Sequence, residues 1–329
     1  MSSLPTFADV QAAARRLQGI TIRTPLLENE RLNAKLGGRL LVKAECLQRT
    51  GSFKIRGAYN FLACMSEADR KKGVVGWSSG NHAQGLAEAA RLMGVRATIV
   101  MPADAPALKV ANTQASGAEI VLYDRVKESR EQIGLGIAQK TGAAVVPPYD
   151  HPWILTGQGT VGLELAEQAK ALGVTLDAVA APCSGGGLAT GVALGVKGIS
   201  PSTTVHTGEP AGFDDMARSL ATGRKQRNDK LSGSICDALL APEPGDVTFP
   251  LARQVLGPGL VVTDDEVLDA MEVAFREFKL VVEPGGAVAL AAALTGKLPV
   301  KGRAVAVVCS GGNVDHDTFR RALERRPGA

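Results

Sequence analysis

Short, continuously apolar runs alternate with longer segments of helical spacing along this chain, and this alternation is what most limits its fold. The runs are rich in Val, Ala and Ile and include "GVVGW", "RATIVM", "LDAVAAP" and "RAVAVV". Strands that are apolar on both faces are typical of parallel sheets with helices on each side. The pattern therefore predicts an α/β fold with mostly parallel sheets. The clearest long loop is predicted at residues 239–250.

Length and composition narrow the class of protein further. With 329 residues, of which 45% are hydrophobic, the chain is long enough for about two domains or lobes. Its 37 basic and 33 acidic residues give a net charge of +4 without a basic block, which argues against a nucleic-acid partner. No run of about 18 apolar residues occurs, so we expect no membrane span.

The cysteines indicate a reducing compartment. Their number is odd, and no two of them have the CxxC spacing of a zinc or redox site: Cys46, Cys64, Cys183, Cys236 and Cys309. The N-terminal residues lack the apolar segment of a secretion signal. Free thiols are typical of the cytosol, and we therefore predict a cytoplasmic protein.

A glycine-rich stretch, "CSGGGLATG" at residues 183–191, joins a predicted strand to a predicted helix. Backbone N–H groups converge in such a turn, and the helix N-terminus adds a positive partial charge, so the stretch can bind a phosphate. Its spacing is not GxGxxG, because Thr190 stands at the third position after Gly187, and no GK[ST] follows. A single phosphate is therefore favoured over a nucleotide. The alternative is tight packing between helix and strand.

Two further turns follow predicted strands, where ligands of open α/β sheets bind. The turn "SSGNHAQG" places Ser79, Asn81 and His82 at the start of a helix, which suits a carboxylate, although Ser and Asn are also ordinary helix caps. The turn "CSGGN" places the Ser310 hydroxyl after a Val-rich strand, in an anion-binding turn or in a plain one. A fourth segment, "TGSFKIRGAYN", places Lys54 where a helix begins.

Together these four segments provide what a pyridoxal phosphate site needs. A lysine amine forms a Schiff base with the aldehyde of the cofactor. The glycine turn suits the phosphate monoester, and the "SSGNH" turn suits the carboxylate of an amino-acid substrate. A neutral hydroxyl such as that of Ser310 can face the pyridine nitrogen.

The chain resembles fold-type II pyridoxal-phosphate enzymes, specifically the serine/threonine dehydratase and serine racemase family. The resemblance extends from "RTPL" to "CSGGN", and "KAECLQRTGSFKIRGA" matches the cofactor-lysine segment of the family. It implies two lobes, each with a twisted, mostly parallel sheet flanked by helices. It implies a large cofactor-binding domain of residues 1–51 and 148–329 and a small mobile domain of residues 52–147. It also implies a homodimer.

By this resemblance, Lys54 is the Schiff-base lysine and Phe53 packs against the cofactor ring. Asn81 binds the phenolic oxygen of the ring, and Ser310 faces its nitrogen. The phosphate is held by the backbone amides of Gly185, Gly186, Gly187 and Leu188. The substrate carboxylate is held by Ser79, Asn81 and His82.

A metal site is expected in the segment "GEPAGFDD". Its ligands are the carboxylates of Glu209 and Asp215 and the carbonyl oxygen of Phe213, and oxygen ligands suit Mg²⁺, or alternatively Ca²⁺ or Mn²⁺. Members of the family carry a metal at a matching segment. The alternative is a helix N-terminus at which acidic residues favour the helix dipole.

The implied reaction is α,β-elimination from a β-hydroxy amino acid such as L-threonine or L-serine, giving a 2-oxo acid and ammonia. One alternative is a 3-hydroxyaspartate dehydratase, with Arg130 facing the distal carboxylate or else lying on a solvated helix face. Another is a serine racemase with dehydratase side activity, in which Ser79 is the second base. A non-catalytic protein that binds the cofactor is the third. Cys236 and Asp237 stand where many members have Ala-Asp-Gly, so the sequence leaves the rest of the substrate pocket unassigned.

Overall fold

The computed structural model describes residues 4–105 and 107–325. In chain order its helices and strands are α1 (Phe7–Leu17), β1 (Leu26–Glu28), α2 (Glu30–Leu36), β2 (Arg39–Ala44), α3 (Lys54–Cys64), α4 (Glu67–Lys72), β3 (Val74–Trp77), α5 (Asn81–Met93), β4 (Ala97–Pro102), α6 (Ala107–Ala115), β5 (Glu119–Tyr123), α7 (Arg130–Thr141), β6 (Ala144–Val145), α8 (Pro152–Ala171), β7 (Ala178–Pro182), α9 (Gly187–Ile199), β8 (Thr204–Pro210), α10 (Asp215–Thr222), α11 (Thr248–Val255), β9 (Leu260–Val262), α12 (Asp264–Phe278), α13 (Pro284–Leu294), β10 (Ala304–Cys309) and α14 (His316–Leu323).

The larger of two sheets has six strands in the order β1-β2-β10-β7-β8-β9. All neighbours are parallel except β1, which pairs with β2 in the antiparallel direction at the edge. Val307 of β10 lies between Val42 of β2 and Ala180 of β7. The carboxyl ends of these three central strands therefore lie at the same edge of the sheet.

The second sheet has four parallel strands in the order β5-β4-β3-β6. Its strands all fall between β2 and β7 in the chain, and all lie within residues 52–147. The predicted α/β fold with mostly parallel sheets is confirmed. The domain boundaries at residues 51/52 and 147/148 stay a prediction.

Helices cover both faces of the larger sheet. On one face, α12 and α13 pack on alternate strand residues such as Val42 and Val307. On the other face, α8 and α9 pack on the intervening residues, such as Leu41 and Val308. Each face buries one side of the same apolar strands, which explains why the strand sequences show no polar alternation. Glycines let α8 and α9 approach closely, because a Cβ at Gly162 would overlap the backbone of Val192.

Two boundaries differ from the sequence predictions. The loop predicted at residues 239–250 is shorter, because α11 begins within it at Thr248 and accommodates Pro250 in its first turn. The helical spacing of "GTVGLELAEQAKALG" predicts a helix from about Gly159, but the helix begins earlier, at Pro152. Proline there occupies the first helical position, and His151 accepts a hydrogen bond from the Trp153 N–H at 3.1 Å. Within the described residues no helix is both long and apolar enough to span a bilayer.

Candidate active site

The segments that follow β2 and β10 are joined by backbone hydrogen bonds at the carboxyl edge of the larger sheet. Ser52 forms an antiparallel bridge with Gly311, and the Phe53 N–H donates to the Ser310 carbonyl oxygen at 3.1 Å. This pairing fixes the start of α3, whose first residue is Lys54. The predicted neighbours Phe53, Lys54 and Ser310 are therefore brought together, with the Ser310 side chain almost fully buried.

Lys54 has the environment of a reactive amine. Its Nζ donates a hydrogen bond to the carbonyl oxygen of Pro148 at 2.7 Å and lies 5.2 Å from the centre of the Phe53 ring. Desolvation lowers the pKa of Lys54 to about 8, although the negative charge of Glu283 opposes part of this shift. About a tenth of the amine is therefore neutral and nucleophilic at pH 7, far more than for an ordinary lysine.

The glycine turn joins β7 to α9, as predicted. Gly186 adopts a φ of 103°, in the region that favours glycine, and caps α9. A side chain at Gly185 would overlap the ring of Tyr149, which lies against this glycine. The first N–H groups of α9, those of Gly187 and Leu188, have no carbonyl partner within the helix and are available to an anion.

Loop residues that the sequence analysis did not identify hold this turn in place. The Thr248 hydroxyl donates to the Gly185 carbonyl oxygen at 2.7 Å, and the Gly245 N–H donates to the same oxygen at 3.0 Å. Asp150 accepts hydrogen bonds from the N–H groups of Val247 and Thr248 at 2.9 and 3.1 Å. These contacts fix the orientation of the Gly185 carbonyl and the position of the turn.

The "SSGNH" turn connects β3 to α5, as predicted. Ser79 is half-buried in the turn, and Asn81 is the first residue of α5. The His82 ring lies within the protein, where its Nε2 is 3.0 Å from the Val146 carbonyl oxygen. Desolvation, with the charge of Lys54, lowers the pKa of His82 to about 3, so the imidazole is neutral.

The Asn81 side chain connects this turn to the large-sheet side of the site. Its Nδ2 donates to Oε1 of Glu283 at 2.5 Å, and its Oδ1 accepts from Nδ2 of Asn313 at 2.7 Å. The same Nδ2 of Asn313 donates to the Thr50 carbonyl oxygen at 2.8 Å. Asn313 belongs to the predicted "CSGGN" turn, whereas nothing in the sequence analysis pointed to Glu283.

Residues 146–151, between β6 and α8, link these parts of the site, and the sequence analysis overlooked them. Three of its residues contact the histidine, the lysine and the glycine turn. The Val146 carbonyl is hydrogen-bonded to His82 and the Pro148 carbonyl to Lys54, and the Tyr149 ring lies on Gly185. Burial raises the pKa of Tyr149 to about 12, so its hydroxyl stays protonated. The segment follows a strand end, which is the one signal that could have identified it.

The predicted metal ligands lie together in the interior. Glu209, at the end of β8, accepts hydrogen bonds from the Thr207 hydroxyl and from the N–H groups of Met216 and Ala217 at 2.8 to 3.0 Å. Asp215 accepts from Asn228 at 2.7 Å through Oδ1, whereas its buried Oδ2 has no hydrogen-bond partner. Burial raises the pKa of Glu209 to about 8 and that of Asp215 to about 6. No cluster of three or more His, Cys, Asp and Glu side chains suited to a metal occurs in the described part of the chain.

The remaining predicted residues lie in contrasting surroundings. Arg130 is the exposed first residue of α7, and within the described residues it forms no ion pair with a glutamate. On the same helix, Gly134 lies against the ring of Trp77, which directly precedes the "SSGNH" turn. Cys236 is fully buried, and desolvation raises the pKa of its thiol to about 12, so it is not a reactive nucleophile.

A buried ion network is centred on Arg56, two residues after Lys54 in α3. Arg56 is fully buried and makes two hydrogen bonds to each of two carboxylates: to Glu45 at 2.8 Å, and to Glu164 at 2.7 and 2.9 Å. Lys43, also fully buried, donates to Glu164 at 2.7 Å and to Gln168 at 2.9 Å. The network connects the beginning of α3 to β2 and α8 with two positive and two negative charges.

The fold and this arrangement define an enzyme of the pyridoxal-phosphate class. Lys54 is bound to Pro148, whose neighbour Tyr149 packs on the phosphate-type glycine turn, and Ser310 is bound to Phe53 beside Lys54. The Lys54 amine, the anion-binding glycine turn and the neutral Ser310 hydroxyl thus occur around one site, and together they fit the cofactor. The family described as "Pyridoxal-phosphate dependent enzyme" matches residues 17–311, and the chain belongs to it.

Strong similarities to individual proteins include the following three. An L-threo-3-hydroxyaspartate ammonia-lyase of Pseudomonas sp. is 43% identical, covering 98% of this chain and 99% of that protein. The structure of maize serine racemase has a TM-score of 0.91 at 38% identity and covers 98% of this chain and 97% of its own. The structure of the T.th. threonine deaminase has a TM-score of 0.89 at 43% identity and covers 94% of this chain and 99% of its own. The predicted family, the fold class and the pyridoxal phosphate cofactor are confirmed.

Proposed function

We propose that the chain catalyses pyridoxal-phosphate-dependent α,β-elimination from a β-hydroxy amino acid, giving a 2-oxo acid and ammonia. The observation that carries this proposal is the Lys54 amine, with its lowered pKa, held by the same segment that packs on the glycine turn. The relatives named ammonia-lyase and deaminase support it. When bound, the cofactor supplies an electron sink that makes the α-proton of an amino acid acidic.

The residues of the chain have complementary roles in this proposal. Lys54 holds the cofactor and, once released, removes the α-proton as the general base, for which a pKa of about 8 is well suited. The amides of Gly185, Gly186, Gly187 and Leu188 hold the phosphate, and Phe53 packs against the ring. Asn81 donates to the phenolic oxygen. Ser310 is a neutral partner for the ring nitrogen, so that nitrogen is not forced into its protonated form.

The substrate carboxylate is assigned to the beginning of α5. Ser79 supplies a hydroxyl, and the Asn81 and His82 N–H groups lie in the first turn of a 13-residue helix, where they have no intrahelical partner. Because His82 is neutral and its ring faces Val146, it contributes through its backbone rather than through charge. Binding there places the carboxylate at the positive end of the helix dipole.

Two alternatives compete with elimination from L-threonine or L-serine: another substrate and another reaction. The relative named L-threo-3-hydroxyaspartate ammonia-lyase favours a 3-hydroxyaspartate, together with the exposed cation of Arg130 on α7, the helix whose Gly134 lies against Trp77 at the end of β3. The similarity to maize serine racemase and the half-buried hydroxyl of Ser79 favour racemisation, with Ser79 as a second base opposite Lys54.

A divalent cation is the further component that we propose. The unpartnered Oδ2 of Asp215 and the close pair of buried acids suit an oxygen-bound Mg²⁺, Ca²⁺ or Mn²⁺. Glu209 already accepts three hydrogen bonds and can offer one remaining lone pair, and the Phe213 carbonyl completes the proposed ligands. We also propose that residues 52–147, which include the four-stranded sheet, form the small domain, and that it moves when substrate binds.

An assay of 2-oxo acid release across a substrate panel tests the function. The holoenzyme is offered L-serine, L-threonine, both diastereomers of 3-hydroxyaspartate and the D-forms, while chiral chromatography follows racemisation. Elimination from at least one of the β-hydroxy amino acids is expected. Cofactor binding without any turnover would instead favour a non-catalytic protein.

A further inference from the structure

A row of three hydrogen-bonded side chains crosses the site from the beginning of α5 to the turn after β10. Glu283, Asn81 and Asn313 form the row, and Asn313 continues it to the backbone carbonyl of Thr50. Asn81 is 9% exposed and Glu283 is 5% exposed, so water does not readily replace these contacts. The row therefore determines how the Asn81 amide is oriented.

Both ends of the row require the same orientation of the Asn81 amide. The Thr50 carbonyl can only accept, so the NH₂ group of Asn313 must face it. That NH₂ group also lies 2.7 Å from the Asn81 amide, which must present its oxygen there. At the other end, the Glu283 carboxylate accepts and requires the NH₂ group of Asn81. A flipped Asn81 amide would place its oxygen against the Glu283 carboxylate and its NH₂ group against the NH₂ group of Asn313.

The two outer members are themselves held firmly. The Glu283 N–H donates to the Gly311 carbonyl oxygen at 3.0 Å, and a side chain at Gly311 would overlap the Glu283 carboxylate. Thr50, which Asn313 holds, has a φ of 60°, a strained conformation for a β-branched residue. The Gly312 N–H secures the same turn by donating to the Gly51 carbonyl oxygen at 2.9 Å.

We propose that Glu283 and Asn313 are positioning residues that fix the Asn81 amide with an N–H directed at the phenolic oxygen of the cofactor. This inference rests on the proposed function, in which Asn81 binds that oxygen. The hydrogen bond to Glu283 uses one of the two N–H bonds of Asn81 Nδ2, and the second remains for the cofactor. A reversed amide would place its oxygen against the phenolic oxygen and lose this hydrogen bond.

The dissociation constant of pyridoxal phosphate from the apoprotein tests the inference. Glu283→Met removes the acceptor at similar side-chain length, whereas Glu283→Gln retains an acceptor in its amide oxygen. Both variants remove the negative charge near Lys54, so their comparison isolates the acceptor. Titrations at pH 9, above the pKa of Lys54, are compared with those of Glu88→Gln. Glu88 is also a buried glutamate, on α5, and its carboxylate pairs with Arg91 at 2.7 Å.

Glu283→Met is expected to weaken cofactor binding about tenfold, the effect of one hydrogen bond in a buried site. Glu283→Gln is expected to recover most of that loss, and Glu88→Gln to bind like the unaltered protein. In an Asn81→Ala background, Glu283→Met should cause no further loss, because Glu283 acts through Asn81. Asn313→Ala should also weaken cofactor binding, with no further loss in the Asn81→Ala background. This variant tests the inference if circular dichroism shows that Glu283→Met is unfolded.

Two results would overturn the inference while leaving the proposed function intact. One is a Glu283→Gln variant as weak as Glu283→Met, which would show that the charge and not the acceptor matters. The other is a loss that persists in full in the Asn81→Ala background. Failure of the unaltered apoprotein to bind pyridoxal phosphate would overturn the proposed function and this inference together.

Discussion

The Nζ of Lys54 lies 2.7 Å from the carbonyl oxygen of Pro148, to which it donates a hydrogen bond. This contact joins the first residue of α3 to the segment that carries Tyr149 onto the glycine turn. The amine is thus held at a defined place by backbone. Backbone positions cannot change with the rotamer of a side chain, so the contact keeps the amine oriented before any ligand arrives.

Lys54→Ala should therefore abolish both the visible absorption of the bound cofactor and turnover. The expected loss in kcat is at least about a thousandfold, because in the proposed function this one residue provides both the covalent link and the base. Lys72→Ala, which removes an exposed lysine paired with Asp69 at 2.9 Å, serves as the control and should change neither property. A Lys54→Ala protein with an unchanged spectrum and rate would refute the assignment.

Cofactor capture by the apoprotein should depend on pH in a defined direction. The neutral amine reacts and the ammonium does not, and desolvation places the pKa of Lys54 at about 8 instead of 10.5. The capture rate should rise about tenfold per pH unit below pH 8 and level off above it. Stopped-flow absorbance from pH 6 to 9.5 measures the profile. A rate that still rises steeply above about pH 9 would contradict the lowered pKa.

The buried ion network centred on Arg56 should contribute to the stability of the protein. Arg56→Met leaves the Glu45 and Glu164 carboxylates without this partner and should lower the free energy of unfolding by about 3–5 kcal/mol. Arg56→Lys retains the charge but cannot make two hydrogen bonds to each carboxylate, so its loss should be intermediate.

Urea unfolding of the apoprotein at pH 7 measures both changes. The control is Arg39→Met, which breaks a pair of similar geometry with Glu28 at 2.7 Å on the surface and should cost about 1 kcal/mol or less. Equal losses for Arg56→Met and Arg39→Met would show that burial adds nothing.

Much of the fold could be predicted from local sequence. The strands β3, β4, β7 and β10 are continuous apolar runs, and the turns that follow β3, β7 and β10 are rich in Gly, Ser and Asn. The fold class and the edge of the sheet that carries the site therefore follow from the sequence pattern alone. The limits of α8 and α11 could not be predicted in this way. Pro152 and Pro250 resemble loop residues, and only the first-turn position makes proline compatible with a helix.

The candidate site shows a similar division. Lys54 and Gly186 lie in distinctive segments, and the family resemblance gives each a role. Glu283 and Tyr149 act through contacts with residues far away in the chain, 202 residues in the case of Glu283 and Asn81. Such pairs depend on how separate strand ends are brought together, those of β3 and β10 for Asn81 and Glu283 and those of β6 and β7 for Tyr149 and Gly185, which no local pattern encodes.

The proposed cation should stabilise the native protein. Removing it with a chelator should lower both activity and the free energy of unfolding, since a ligand at a hundredfold excess over its dissociation constant contributes about 2.7 kcal/mol. Asp215→Asn should abolish the response to Mg²⁺ or Ca²⁺. Asp214→Asn is the matched control, because Asp214 is only half-buried and its carboxylate pairs with Arg218 at 3.5 Å.

Calorimetry with and without metal measures these responses. A melting temperature that does not change with chelator or added cation, in the unaltered protein as in Asp215→Asn, would remove the site. In that case Glu209 would serve only to accept hydrogen bonds from Thr207 and from the N–H groups at the start of α10, and Asp215 to accept one from Asn228.

Arg130 should determine which substrate is preferred. It is exposed at the beginning of α7, in the segment that we propose moves with the small domain, so closure could carry its guanidinium to an acidic substrate side chain. Arg130→Ala should then cost ~2 kcal/mol of transition-state binding for 3-hydroxyaspartate, because a desolvated charge pair is lost. Turnover of L-serine, which has no distal carboxylate, should hardly change. Arg125→Ala is the control, since Arg125 is also exposed and pairs with Asp104 at 2.8 Å. Values of kcat/KM for both substrates decide the matter: an equal loss on both, or none on either, would refute Arg130 as the selector and leave serine and threonine as the favoured substrates.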